Sequence, residues 1–174
     1  MLLRRLAPPD RSAVVGILSS DETFRPDEVD VALELVDGAC DQPDGDYRAL
    51  VCEDAGQILG YVCYGKTPMT DATWDLYWIA VHASSRGRGV ASKLARAMET
   101  DARQQGGAVV RIETSQLEAY GSARVLYERL AYEEVGRIRD FYRAGDDLVI
   151  FSKRIDGSAR TSDEVPWREL ALPA

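Results

Sequence analysis

The run Leu76-Tyr77-Trp78-Ile79-Ala80-Val81, followed by His82-Ala83-Ser84-Ser85 and then Arg86-Gly87-Arg88-Gly89-Val90-Ala91, decides how this chain is read. An apolar stretch rich in aromatic and β-branched residues empties through a glycine turn into a segment of helical periodicity. A strand, a glycine turn and a helix start, in that order, make a site for an anion. Glycine lets the backbone approach closely, the first N–H groups of the helix lack intrahelical partners, and the helix dipole leaves partial positive charge there. The anion site therefore spans Arg86, Gly87, Arg88, Gly89, Val90, Ala91 and Ser92, with Arg86 and Arg88 offering charge-assisted bonds. Two other phosphate motifs are excluded: no Gly-Lys-Ser/Thr follows the turn, and no G-x-G-x-x-G opens a first βαβ unit.

Working outward, Val90 to Gln105 carries Val90, Leu94, Met98 and Ala102 on one stripe, with Lys93, Arg96, Glu99 and Arg103 expected to point elsewhere, and Gly106-Gly107 stops it. Val109 to Thr114 is the next strand. A strand, a helix and a second strand in one sheet form a right-handed parallel crossover, so the helix starts at the carboxyl end of strand Thr73 to Val81, where open α/β sheets bind ligands. Upstream, Met1 to Leu6 reads as a strand, and Asp10 as the cap of a helix burying Val14, Ile17 and Leu18. A second helix starts near Pro26 and is expected to end at Gly38. Tyr47 to Glu53 and Gln57 to Lys66 form a hairpin across Asp54-Ala55-Gly56. Downstream, Ser122 to Arg129 is a helix, and Tyr132 to Arg139 with Asp147 to Arg154 is a hairpin across Ala144-Gly145-Asp146. The elements add up to an α+β fold with one α/β-type crossover: a single domain over residues 1–155 and a polar tail, residues 156–174.

Composition limits the function classes. A net charge of −8 over 174 residues argues against a nucleic-acid partner, which needs a basic face. The chain has no run of about 18 apolar residues and no basic n-region followed by an apolar h-region, so no membrane partner and a cytoplasmic location are expected. Cys40, Cys52 and Cys63 are odd in number and lack CxxC spacing, and His82 is the sole histidine, so no metal site is expected.

The pattern Arg86-x-x-Gly89-x-Ala91 resembles the Arg/Gln-x-x-Gly-x-Gly/Ala signature with which the GCN5-related N-acetyltransferases, the GNAT family, hold the pyrophosphate of acetyl-CoA. About forty residues on, Ala123-x-x-x-Tyr127-x-x-x-Ala131-Tyr132 resembles that family's second motif. Tyr120 stands where the family often has Asn, and Ala131 where it usually has Gly. The resemblance implies a mixed, mostly antiparallel sheet of six to seven strands with about four helices. It also implies acetyl-CoA as co-substrate, a primary amine of a small molecule or peptide as acceptor, and a homodimer as a common arrangement. A non-catalytic acyl-CoA sensor is the alternative.

Direct acetyl transfer needs a held thioester, a deprotonated amine and a group facing the leaving thiolate. The resemblance assigns the backbone of Ile79, Ala80 and Val81 to the acetyl and pantetheine arm, through a bulge that frees N–H groups. It assigns Tyr120 and Ala123 to the cofactor and Tyr127 to the thioester sulfur. Phenol pKa near 10 against thiol pKa near 8.5 makes full proton transfer uphill, so Tyr127 is expected to act by a hydrogen bond. An alkylammonium of pKa near 10.4 must lose a proton before attack. Asp75, eleven residues before Arg86 where histone-type relatives carry a catalytic glutamate, is the first candidate base, and Glu113 on the neighbouring strand is the second. Period two places Asp75, Tyr77, Ile79 and Val81 on one face. Tyr77, Phe24, Phe141 and Tyr142 are expected to line the acceptor side. Asp146 and Asp147 read as turn residues, and His82 as a surface or capping residue.

Overall fold

A seven-stranded sheet in the order β1-β2-β3-β4-β5-β7-β6 organises the chain, and the computed structural model describes residues 1–21 and 23–158. The strands are β1 (Leu2–Arg5), β2 (Arg48–Asp54), β3 (Gln57–Lys66), β4 (Thr73–Val81), β5 (Val109–Ser115), β6 (Glu133–Arg143) and β7 (Asp146–Arg154). The helices are α1 (Arg11–Ser19), α2 (Pro26–Asp41), α3 (Val90–Gln104) and α4 (Gly121–Arg129). All neighbouring strands run antiparallel except β4 and β5, which are joined by the crossover through α3. The expected mostly antiparallel sheet with four helices is what is observed. No described helix is long and apolar enough to cross a membrane.

Both sheet faces are covered, so β3 is buried from Leu59 to Gly65 and reads as a continuous apolar run rather than an alternating one. On one face α3 and α4 bury Leu94, Met98, Tyr127 and Leu130 against Val62, Tyr64, Leu76, Ile112 and Phe151. On the other, α1 and α2 bury Val14, Ile17, Leu18, Ala32 and Val36 against Val51, Tyr61, Cys63 and Ala80. The β2–β3 turn places Ala55 at φ 50° and Gly56 at φ 78°, the double left-handed geometry of a tight hairpin.

Four expectations need correction. α2 does not stop at Gly38: the helix continues to Asp41, and a Cβ at Gly38 would lie 3.2 Å from the Tyr47 ring, so this glycine serves close packing rather than termination. Glu99 does not point to solvent. It is buried on α3 because Lys153 of β7 donates to both of its oxygens at 2.9 Å. Asp146 and Asp147 are more than turn residues: Asp146 is buried and accepts from the Ser115 hydroxyl, and Asp147 Oδ1 accepts from the Asp140 N–H at 3.0 Å. The fourth concerns the face of β4 and belongs to the site. Of the tail, residues 159–174 lie outside the described residues.

Candidate active site

Strands β4 and β5 pair only from Thr73 with Val109 to Leu76 with Ile112. β4 then continues to Val81 and β5 to Ser115, so the parallel pair parts like a V, and the facing main-chain groups above Leu76 and Ile112 do not bond each other. At the same level β4 carries a bulge. Cys63 of β3 faces Trp78 and Tyr64 faces Leu76, which leaves Tyr77 as the extra residue.

The bulge re-phases the strand. Asp75 and Tyr77 lie on the α1/α2 face, Trp78 and Ala80 continue there, and Ile79 and Val81 turn to pack on the α3 side. Strict period two put Asp75, Tyr77, Ile79 and Val81 together; one inserted residue separates the first two from the last two. The Tyr77 ring meets Tyr47 edge-on at 5.6 Å, and burial with the Asp75 charge pushes its hydroxyl up to about 12.

Above the open end of the V lies the glycine turn. Gly87 and Gly89 hold φ of 74° and 77°, which L side chains rarely adopt, and a Cβ at either would meet nothing within 4 Å. Gly89 is the N-cap of α3, its carbonyl accepting the first helical bond from Lys93 at 3.1 Å, which leaves the N–H groups of Val90, Ala91 and Ser92 as helix-start donors. Arg86 pairs with Asp21 at 2.5 Å and Arg88 with Asp54 at 3.1 Å. His82 caps the short turn Ala83–Ser85, its Nδ1 accepting from the Ser84 N–H at 3.3 Å. Positive backbone and side-chain groups, free space and left-handed glycines fit the pyrophosphate of a nucleotide-bearing ligand.

The two candidate bases differ in availability. Both oxygens of Asp75 are engaged: Oδ1 accepts from Arg111 Nε at 2.7 Å, and Oδ2 accepts from the Thr67 hydroxyl at 2.8 Å and from Arg111 at 3.1 Å. Its side chain is 9% exposed, whereas that of Glu113 is 42% exposed and, among the described residues, pairs with the far nitrogen of Arg111 at 3.4 Å. Arg111 and Thr67 were not legible as site residues, although Arg111 and Glu113 share a face of β5 by period two.

Tyr127 is buried on α4, its ring 5.6 Å from Phe151 and 6.2 Å from Tyr132, and burial pushes its hydroxyl well above the ordinary phenol value. Ala123 packs against the same cluster. Tyr120 turns toward α2, donating to Glu28 Oε1 at 3.0 Å, and burial with that carboxylate raises its pKa. Phe24 tilts against Trp78 at 6.1 Å. Phe141 and Tyr142 stand exposed and edge to face at 5.0 Å, on a part of β6 whose register with β7 slips between Ile138 and Arg143. Burial, with the carboxylates of Glu113, Asp146 and Glu28, pushes the Tyr142 hydroxyl up.

The profile of the acetyltransferase (GNAT) domain matches residues 45–134, which include β4, the glycine turn, α3, β5 and α4. A GNAT-family structure from Desulfovibrio desulfuricans is 35% identical, superposes with a TM-score of 0.83, and is matched over 88% of this chain and 98% of its own. The chain belongs to the GNAT family. More distant GNAT-like folds include an aminoglycoside 6'-N-acetyltransferase complexed with coenzyme A, 15% identical with a TM-score of 0.72 over 91% of this chain and 99% of that one. A ribosomal-protein-alanine N-acetyltransferase from Brucella melitensis is 20% identical, with a TM-score of 0.72 over 88% and 99%. At these identities the likeness is one of fold. No curated protein sequence matches the chain. As a GNAT protein, it is an acyltransferase.

Proposed function

We propose that this GNAT protein transfers an acetyl group from acetyl-CoA to a primary amine of a small molecule or peptide by direct attack, without a covalent enzyme intermediate. The observation that carries the reading is the parting of β4 and β5 above Leu76 and Ile112, directly beneath a left-handed glycine turn and a helix start. Pyrophosphate is held by the turn from Arg86 to Ser92. The pantetheine arm and thioester lie in the V, where Ile79 to Val81, paired with β3 on one edge and without a β5 partner on the other, present N–H groups to the thioester carbonyl.

Glu113 takes the amine proton, directly or through one water, because Asp75 has both oxygens committed while Glu113 is exposed and held by a single longer ion pair. The amine nitrogen then forms the C–N bond as the C–S bond breaks, the electron pair leaves on sulfur, and the second proton on nitrogen passes through water to the thiolate, giving a neutral amide and free coenzyme A thiol. Tyr127 meets the developing thiolate as a hydrogen-bond donor. Its raised pKa keeps its own proton in place, so it stabilises the charge and does not neutralise it. Tyr77, Phe24, Phe141 and Tyr142 line the acceptor side. Neighbours of this fold are named for acetylating aminoglycosides and a ribosomal protein's alanine, both of which present amines, in keeping with an amine acceptor here.

Isothermal titration of the chain with acetyl-CoA, beside an Arg86→Ala/Arg88→Ala variant, tests the reading. Micromolar binding that the variant loses is the expected result, followed by thiol release on a panel of amines. Absence of binding by the wild type overturns it; binding without turnover on any amine favours an acyl-CoA sensor.

A further inference from the structure

Arg86, the first residue of the anion-binding turn, is already engaged by a carboxylate from a distant part of the sequence. Its terminal nitrogen lies 2.5 Å from Asp21 Oδ2, across 65 positions of sequence. Asp21 belongs to the connector between α1 and α2, residues 20–25, and the connector is tied to the sheet at further points. The Phe24 ring tilts on Trp78 at 6.1 Å, and the Tyr120 hydroxyl lies 3.5 Å from the Thr23 carbonyl while donating to Glu28 at the start of α2. Asp21 and Phe24 also border a hollow of about 340 Å³ with Leu18, Pro26 and Val29. A segment assigned to the acceptor side is thus fastened to the donor side through the same guanidinium that a phosphate would need.

A carboxylate and a phosphate oxygen compete for one guanidinium edge. The Arg86 side chain is 54% exposed and that of Asp21 16%, so their pair is a weak, solvent-screened one. A pyrophosphate at the start of α3 receives helix N–H groups and two arginines together, and it wins that competition. We propose that Asp21 is a latch: it holds Arg86 while no donor is bound, and acyl-CoA takes Arg86 away from it, releasing the α1–α2 connector over the acceptor side. The proposal rests on the acyl-CoA reading above. It makes donor binding the event that opens the acceptor side, and it makes Asp21 a residue that weakens donor affinity in exchange for that coupling.

Titration of the full chain with coenzyme A tests it without knowledge of the acceptor. Asp21→Asn is expected to bind coenzyme A roughly two- to fivefold more tightly than wild type, the scale set by an exposed ion pair. The gain is expected to vanish in an Arg86→Ala background, and Asp27→Asn, which removes a charge paired with Arg25 at the start of α2, is expected to leave affinity unchanged. Hydrogen exchange supplies the second readout: coenzyme A is expected to slow exchange over residues 79–92 and to speed it over residues 20–25. Unchanged or weaker binding by Asp21→Asn, a gain that persists without Arg86, or a connector that coenzyme A protects or leaves unaltered each overturns the latch. If wild type binds no coenzyme A, the acyl-CoA reading falls with it; if it binds and Asp21→Asn changes nothing, the latch alone is lost.

Discussion

Arg111 grips Asp75 with two nitrogens, at 2.7 and 3.1 Å, while its third nitrogen stands 3.4 Å from Glu113. The first and second candidate bases are therefore divided by one guanidinium: Asp75 is an anchor held on both oxygens, and Glu113 is the more exposed carboxylate with a single, longer ion pair. Asp75→Asn leaves Arg111 with a poorer partner in a mostly buried place, and a stability loss of about 1–3 kcal/mol is expected. Glu113→Gln removes an exposed group and is expected to stay within about 0.5 kcal/mol of wild type. With an amine identified by the panel, Glu113→Gln should lower kcat by about 10²-fold or more at unchanged coenzyme A affinity. Urea denaturation of both variants beside steady-state rates checks the division. Full activity in Glu113→Gln would return the role to Asp75.

Ala131 closes α4 in a left-handed conformation at φ 63°. The Tyr132 N–H reaches the Tyr127 carbonyl at 3.0 Å and the Ala131 N–H reaches the Glu128 carbonyl at 2.9 Å, the paired bonds of a helix stop normally made with glycine. An L residue there costs about 1–2 kcal/mol, partly offset by the greater freedom glycine gains in the unfolded chain. The Ala131 side chain is exposed, so nothing is lost by removing it. Ala131→Gly should stabilise the protein by roughly 0.5–1 kcal/mol in urea denaturation. A destabilised variant would mean that the methyl group has a packing role.

The strand, turn and helix from Thr73 to Gln104 were legible almost residue for residue, because apolar periodicity and glycine punctuation are local signals. What escaped reading is non-local. The Tyr77 bulge exists only in the pairing of β4 with β3, and it reverses the faces of Ile79 and Val81. The burial of Glu99 depends on Lys153, 54 residues away, and the engagement of Asp75 on Arg111, 36 residues away. Gly38 carries the composition of a helix stop but serves the approach of Tyr47. Chemistry-bearing residue types could be named from sequence; which of them are already partnered depends on contacts between distant strands.

Gly89 combines a left-handed φ with open space around its missing side chain. Gly89→Ala should therefore cost only backbone strain, about 1–2 kcal/mol, with no steric clash. The strain falls on the N-cap that orients the first N–H groups of α3, so the larger effect is expected on the ligand: coenzyme A affinity should fall by about tenfold, while the melting temperature drops only a few degrees. Calorimetry and thermal melts on the same preparation compare the two. Lost stability with unaltered affinity would take the turn out of donor binding.

Asp10 sets the acid limit of the fold's first corner. Arg4 donates to both of its oxygens, at 2.6 and 2.9 Å, the Ala7 N–H donates at 2.9 Å, and the Arg4 guanidinium holds its carboxyl below the ordinary range despite burial. Because the folded value lies below the unfolded one, near 3.9, the unfolded chain binds more protons between the two, and stability rises with pH across that window. The contribution is complete above about pH 4 to 5 and disappears as pH falls through the folded value. Asp10→Asn keeps an oxygen for the Ala7 N–H but has no charge to titrate. Its stability should lie below wild type at neutral pH, and the gap should close as the pH drops beneath about 4. Asp37, Asp44 and Asp54, whose values are also lowered by basic partners, titrate alike in both proteins and cancel in the difference. Urea denaturation from neutral pH into the acid range measures that gap, and a gap that stays constant throughout would mean that the Arg4–Asp10 pair acts by shape and hydrogen bonding, without charge.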